Sequence, residues 1–149
     1  MTDAGSSATE RSTIDGSPFV LGLFGDLMLS VRVEATARAL GYALQTANTL
    51  EALQSAGPHL RPTAVVIDLA VPGFPLAQTL ATLAAAAAAP PVLAFFPHVE
   101  KELGRAARDA GCTIVVPRSR FMADMSALLR RAVEGEPLSL TEQAGDYGR

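Results

Sequence analysis

The fold is decided by one stretch of sequence, AVVIDLAVPG at residues 64–73. Its first four residues are apolar, and Val65, Val66 and Ile67 are β-branched at successive positions. A strand that is buried on both faces has this composition, as in a parallel sheet covered by helices. Asp68 places a charge where the apolar run ends, so the stretch predicts a buried strand that leads into a loop at the sheet edge.

Similar short apolar runs recur along the chain, and segments with helical periodicity lie between them. Five strands are predicted, at Phe19–Phe24, Ala43–Ala47, Thr63–Ile67, Val92–Phe96 and Thr113–Val116. A brief second helix follows Asn48, and the apolar positions of the first, third, fourth and fifth helices span Val33–Leu40, Leu76–Leu83, Val99–Ala110 and Met122–Val133. This repeated β-α order predicts an α/β protein with an open, doubly wound parallel sheet of five strands.

The composition is typical of a compact soluble protein. Its 149 residues are 49% hydrophobic and 18% charged, which suits one soluble globular domain. We expect that domain at residues 18–134, between flexible tails at 1–17 and 135–149 that lack apolar periodicity. The net charge of -3 argues against a nucleic-acid partner, which would require a basic surface.

The sequence also indicates a cytoplasmic protein. Its one cysteine, Cys112, excludes an internal disulfide and suits a reducing compartment. The first 17 residues lack the apolar core of a signal peptide. Prolines interrupt the uncharged stretch at residues 69–99, so we expect no membrane association.

Functional residues of a doubly wound sheet lie at the carboxyl ends of its strands. Here those ends carry Phe24-Gly25-Asp26, Ile67-Asp68-Leu69, Phe96-Pro97-His98 and Val116-Pro117-Arg118. Asp68 has two interpretations at such an edge. It is either a carboxylate nucleophile for phosphoryl transfer or a metal ligand, or it is a residue that caps a helix or stabilises a loop.

Residues 65–73, VVIDLAVPG, resemble the phosphoacceptor strand and loop of response-regulator receiver domains. Gly41-Tyr42, Thr46-Ala47-Asn48 and Ala110-Gly111 also fall where that family has similar residues. The resemblance covers Pro18 to Val133. It implies a flavodoxin-like, CheY-like (βα)5 fold with strand order 2-1-3-4-5, in which Asp68 occupies the phosphoacceptor position.

The chain departs from the receiver pattern around the magnesium site. Receivers carry an acidic pair after the first strand, and this pair holds the metal ion used in phosphorylation. Counted back from Gly41, the matching residues are Phe24 and Gly25, which offer no side-chain ligand. Asp26, one position further on, is a candidate ligand beside Asp68. Its alternative is a solvated charge at the N-terminus of a helix.

Three further positions handle phosphate or report it in receivers, and all three differ here. Phe96 replaces the Ser or Thr at the end of the fourth strand, and Val115 replaces the switch aromatic of the fifth. Arg118 stands at the position of the family's lysine. Arginine keeps the positive charge and can bind carboxylate or phosphate, although its planar fork differs from a point charge.

Our first hypothesis is a stand-alone, atypical receiver (a pseudo-receiver) that acts through protein–protein interaction, independently of phosphorylation. It would be neither an enzyme nor dependent on a cofactor. Its partner would be a signalling protein, such as a kinase or a regulatory protein. The resemblance places a homodimer or docking interface on the fourth helix, fifth strand and fifth helix, where Met122 and Met125 either supply contact area or form core.

Two alternatives remain open. The first is a bacterial single-domain response regulator that is phosphorylated on Asp68 in a two-component phosphorelay, with Mg²⁺ held by Asp26 and Asp68. The second is a flavodoxin-like module that binds a small ligand, although no phosphate-cradling glycine loop is visible.

Overall fold

Five parallel strands form the centre of the protein in a computed structural model, which describes residues 19–56, 61–71, 73–85 and 89–138. The strands are β1 (Phe19–Leu23), β2 (Ala43–Ala47), β3 (Ala64–Asp68), β4 (Val92–Phe96) and β5 (Ile114–Pro117). They are hydrogen-bonded in the order β2-β1-β3-β4-β5. This order confirms the doubly wound sheet and the arrangement that the resemblance implied.

The described residues form six helices, which cover both faces of the sheet. They are α1 (Leu27–Ala39), α2 (Leu50–Ala56), α3 (Leu76–Ala84), α4 (Lys101–Asp109), α5 (Arg118–Ala123) and α6 (Met125–Val133). Helices α1, α5 and α6 pack on one face through residues such as Val33, Phe121 and Leu128. Leu53 of α2 and Ala107 of α4 contribute to the core on the opposite face, together with Leu83 of α3.

Strand β3 shows why its sequence is continuously apolar. Val66 faces the core under α1 and α6, whereas Val65 and Ile67 face the core on the other side. All three side chains are completely buried. A central parallel strand with helices on both faces has no solvent-facing side, so every position before Asp68 favours an apolar residue.

Helix α4 differs from its prediction at both ends. The apolar spacing assigned Val99 and Ala110 to its buried face, but both residues are exposed, Val99 by 86%. A turn in which the Glu100 N–H donates to the Pro97 carbonyl at 2.8 Å precedes the helix. The helix therefore starts after Val99, and the residues that it buries are Gly104 and Ala107 instead.

The predicted fifth helix is two helices in the structure. Helical backbone begins at Arg118, and Asp124 interrupts it with φ −117° and ψ 30°. Met125, the first residue of α6, is buried, and Met122 is partly buried against the same core. Of the two interpretations of these methionines, the structure supports core packing.

The packed chain continues past α6. Leu138 is buried in the core beneath α1 and α6. The Arg131 guanidinium holds the preceding residue, because its Nη2 donates to the Pro137 carbonyl at 2.6 Å. Residues 1–18 and 139–149, which contain the predicted N-terminal tail and most of the C-terminal one, lie outside the described residues. None of the described helices combines the length and apolar composition needed to cross a bilayer.

Candidate functional site

Three charged side chains meet at the carboxyl edge of the sheet. Asp68 is the last residue of β3, Asp26 follows the end of the neighbouring strand β1, and Arg118 directly follows β5. Strand β4 separates β3 from β5, so the arginine side chain extends across the end of β4 to reach the two carboxylates. We call Asp26, Asp68 and Arg118 the charged corner.

The Asp68 carboxylate is largely enclosed. Its side chain is only 10% exposed. Its Oδ1 accepts a hydrogen bond of 3.0 Å from the Ala70 N–H, and its backbone carbonyl accepts one of 3.2 Å from the Val71 N–H. Asp68 thus stabilises the loop that follows β3, which is one of the two roles that the sequence suggested.

Asp26 is the N-cap residue of α1. Its backbone is extended, and its Oδ1 accepts hydrogen bonds from the N–H groups of Met28, at 2.9 Å, and Leu29, at 3.2 Å. These two N–H groups have no carbonyl partner within the helix, and the carboxylate also interacts favourably with the helix dipole. Asp26 therefore has a structural role at the start of α1.

Arg118 spans the two carboxylates with the two arms of its guanidinium. Its Nη2 lies 3.5 Å from Asp26 Oδ2, and its Nη1 lies 3.6 Å from Asp68 Oδ2. Both distances exceed those of good hydrogen bonds, so the attraction is mainly Coulombic. One side chain therefore offsets the negative charges of two carboxylates at once.

An aromatic pair supports the arginine. The Arg118 guanidinium carbon lies 5.7 Å from the centroid of the Phe95 ring, close enough for a cation–π attraction. Phe95 stacks on Phe121 of α5 with ring centroids 4.5 Å apart and an interplanar angle of 7°. Both rings are completely buried. The guanidinium thus rests on a fixed part of the core.

Burial has the largest influence on the pKa of Asp68. Burial raises the pKa of the Asp68 carboxyl above its ordinary value. The Ala70 N–H and the positive charge of Arg118 lower that pKa, and the negative charge of Asp26 raises it. Burial outweighs the two favourable contacts, so the native environment only partly compensates the charged form of Asp68.

The positions that differ from the receiver pattern are filled with core residues. Phe24 packs on the α1 face of the sheet, whereas Phe96 and Val115 pack on the α4 face, and all three are buried. Gly25 is exposed, and a Cβ added there would meet no atom within 4 Å. None of these four residues has a side-chain oxygen or hydroxyl to offer to the charged corner.

Phe96 fits the structure only because α4 contains a glycine. A Cβ on Gly104 would lie 2.6 Å from Cε1 of the Phe96 ring and 2.8 Å from its Cζ. These distances are well inside van der Waals contact, so the ring occupies the volume that a side chain would fill. We call Phe96 and Gly104 the packed corner.

The donor set does not fit a magnesium ion. Mg²⁺ requires near-octahedral oxygen coordination, and a protein site supplies at least part of it with free carboxylate oxygens. Asp26 and Asp68 each use Oδ1 to accept backbone N–H groups, and each turns Oδ2 towards Arg118. Across the described ranges, no three His, Cys, Asp or Glu side chains form a group that could hold a metal ion.

Two features of this edge were missed in the sequence. The pairing of Arg118 with Asp26 was not anticipated, although Asp26 stands directly before an apolar-periodic segment, as an N-cap residue does. Gly104 was also overlooked. A glycine inside a helical pattern lowers helix stability and often marks a close packing contact, so it was a usable signal.

Comparison with known proteins was informative for structure only. No family model matches the sequence, and no curated protein sequence matches it. A response regulator receiver protein from Burkholderia phymatum superposes with a TM-score of 0.59 at 24% identity, covering 76% of this chain and 95% of that one.

Two further structures agree. The receiver domain of a Pseudomonas aeruginosa sensor histidine kinase, which has a magnesium ion coordinated in its active-site cleft, gives a TM-score of 0.67 at 16% identity, covering 79% of this chain and 98% of that one. The receiver domain of a Francisella response regulator gives 0.66 at 14% identity, covering 78% and 97%. The protein therefore has the fold of the response-regulator receiver domains.

Proposed function

We propose that this protein is a receiver-like signalling module that binds other proteins and works without phosphorylation of Asp68. The observation that carries the proposal is the engagement of the Asp68 carboxylate. Its Oδ1 accepts the Ala70 N–H, and its Oδ2 lies 3.6 Å from the Arg118 guanidinium. Each oxygen therefore already faces a donor group or a positive charge, and the Asp68 side chain is only 10% exposed.

The groups around Asp68 also disfavour phosphoryl transfer. This reaction depends on positioning and on positive charge that neutralises the transferred group, usually supplied in part by Mg²⁺. Phe24 and Gly25 stand where the resemblance puts the metal-binding pair, and Phe96 stands where it puts the hydroxyl. The positive charge of Arg118 is already shared between two carboxylates.

The surface beside the charged corner supports protein binding. Leu27, Met28 and Val31 follow Asp26 on α1, and each is more than half exposed. Residues four apart on a helix are neighbours, so Leu27 and Val31 form one apolar strip with Met28 next to it. Apolar side chains grouped on a surface mark interaction sites more often than single ones do. The interface on α4, β5, α5 and α6 remains a prediction.

Acyl-phosphate labelling tests the independence from phosphorylation. The wild type and Asp68→Asn are incubated with acetyl phosphate and Mg²⁺ and weighed intact by mass spectrometry. We expect no phosphate-sized mass gain in either protein. A gain in the wild type that disappears in Asp68→Asn would overturn this part of the proposal.

The same proteins test the interaction. Immobilised wild type, Asp68→Asn and a triple Leu27→Ser, Met28→Ser, Val31→Ser variant are used to capture partners from a cell extract. Arg38→Ser, an exposed change elsewhere on α1, serves as the matched control. We expect a signalling protein to bind the wild type, Asp68→Asn and the control, but not the triple variant. A partner that binds the wild type but fails to bind Asp68→Asn would contradict the proposal.

A second function has one observation in its favour. Asp68 ends β3 at the open edge of the sheet, and its Oδ2 faces a guanidinium that could also pair with a phosphoryl group. This arrangement would suit a single-domain response regulator that is phosphorylated on Asp68. The labelling experiment separates the two functions directly.

A further inference from the structure

We infer that Arg118 is the resident cation of the charged corner and that, by occupying the space between Asp26 and Asp68, it keeps a divalent metal ion out of this site. This role of Arg118 as the counter-charge of the two carboxylates is independent of the protein binding proposed above. Removal of the arginine charge should therefore turn the charged corner into a cation site.

The two carboxylates need a positive charge between them. Asp26 Oδ2 and Asp68 Oδ2 both approach the same guanidinium, so their negative charges are directed towards a common region. Like charges at such a site repel, and this repulsion grows as water is excluded. The enclosed Asp68 side chain has little access to solvent screening. A cation held between the carboxylates relieves the repulsion.

The fold delivers Arg118 to this position. Arg118 starts α5 directly after the buried end of β5, and its guanidinium lies over the face of Phe95. The Phe95–Phe121 stack fixes the surface on which the guanidinium rests. An arginine that is placed in advance loses less side-chain freedom when it pairs, so an ion from solution competes at a disadvantage.

A metal ion would have to displace the guanidinium. Entry between the two Oδ2 atoms would place a divalent cation beside a positive charge that cannot be removed by deprotonation. The two Oδ1 atoms are less available to a metal ion, because they already accept the N–H groups of the α1 first turn and of Ala70. With the arginine charge absent, the two Oδ2 atoms would be free to bind an ion that keeps several of its waters.

Arg118→Met is the direct test, because methionine retains an apolar stem over Phe95 and removes the charge. Thermal unfolding is measured against MgCl₂ at constant ionic strength. We expect no saturable rise in the melting temperature of the wild type and a saturable rise in Arg118→Met. The rise should disappear in Arg118→Met combined with Asp26→Asn, which keeps the helix-capping oxygen but loses a ligand charge.

Two controls make the result specific. Arg120→Met removes another arginine of α5, one that pairs with Asp124 away from the charged corner, and should behave as the wild type does. Arg118→Lys retains a positive charge and should also remain insensitive to Mg²⁺.

Paramagnetic Mn²⁺ supplies a readout that does not depend on stability. In Arg118→Met, Mn²⁺ should broaden the amide signals of Asp26 and Asp68, whereas in the wild type these signals should stay sharp. Saturable broadening centred on both residues in the wild type would overturn the inference. A silent Arg118→Met variant would overturn the claim that the arginine keeps the metal out. Neither outcome bears on whether α1 binds a protein partner.

Discussion

At the carboxyl edge of the sheet, the charged corner keeps ionised side chains, whereas the packed corner is closed by a phenylalanine ring against a helix. In the charged corner, Arg118 lies 3.5 Å and 3.6 Å from its two carboxylate partners. In the packed corner, the Phe96 ring fills the volume beside Gly104. Asp68, Arg118 and Phe96 all stand where the resemblance to receivers puts phosphate chemistry. The charged corner departs from the receiver pattern through an arginine that pairs with two carboxylates, and the packed corner through a ring that replaces a hydroxyl.

The difference concerns how each corner responds to a mutation. In the charged corner the guanidinium is partly exposed. Removal of one charge there should change the free energy of unfolding little, because solvent and side-chain motion compensate for part of the lost attraction. A buried ring that fills the space beside a helix glycine cannot move without its neighbours, because protein interiors are close-packed. We therefore expect large effects on stability at the packed corner and small ones at the charged corner.

The largest effect is expected for Gly104→Ala. The new Cβ would lie 2.6 Å from the Phe96 ring, so the ring or α4 must shift. Overpacking of this kind costs about 1–3 kcal/mol in the free energy of unfolding. Alanine favours a helix over glycine by up to about 1 kcal/mol, so a net loss would identify the clash. Urea denaturation of the wild type and of Gly104→Ala measures this net change in the free energy of unfolding.

A second substitution identifies the partner in that clash. Phe96→Leu shortens the side chain opposite the new methyl group, so the double variant Gly104→Ala, Phe96→Leu should lose less than the sum of the two single losses. Additive losses would show that the Phe96 ring is not what excludes a side chain at Gly104.

An intermediate effect is expected at Asp26. Asp26→Ala removes the acceptor for the N–H groups of Met28 and Leu29, and loss of an N-cap costs about 1 kcal/mol in the free energy of unfolding. Asp26→Asn keeps that acceptor and removes only the charge facing Arg118, so it should cost less. Equal losses in the two variants would mean that Asp26 stabilises the protein through its ion pair with Arg118 rather than through the helix cap.

The smallest effect is expected for Asp68→Asn, and it depends on pH. The pKa of Asp68 in the native state is raised above its ordinary value of 3.8 because burial disfavours the charged form. The native protein thus binds a proton more tightly than the unfolded chain does, and its stability falls as pH rises from 3.8 through the native pKa. Asparagine can still accept the Ala70 N–H and carries no charge.

Asp68→Asn should therefore be slightly more stable than the wild type at neutral pH, and this gain should shrink as the pH is lowered towards 3.8. Thermal melting of the two proteins across that pH range checks the sign. A variant that is less stable than the wild type at neutral pH would show that attraction to Arg118 outweighs the burial of the carboxylate.

The strands and their order along the chain could be predicted from the sequence because they depend on local patterns of apolar residues. The β-branched run before Asp68 and the similar runs elsewhere predicted all five strands, and the structure has each of them. The same reliance on local patterns placed the start of α4 too early. Val99 fits the apolar spacing of a helix, and periodicity alone does not register the turn that Pro97 and Glu100 form.

The site was less predictable because its contacts are long-range. Asp68 could be assigned to the sheet edge from its own neighbours. The approach of Arg118 to Asp26 depends on a side chain that crosses the end of an intervening strand, and no local pattern records this. The fit of Phe96 against Gly104 likewise depends on how closely α4 lies on the sheet.

The stacked rings beneath Arg118 have a mechanical consequence. Phe95 belongs to the sheet and Phe121 belongs to α5, the helix that Arg118 itself begins. A displacement of α5 would therefore move the arginine's backbone and disturb its aromatic support together. A tilt of α5 would therefore shift the guanidinium from the position in which it faces Asp26 and Asp68, and the two carboxylates would lose part of their compensating positive charge.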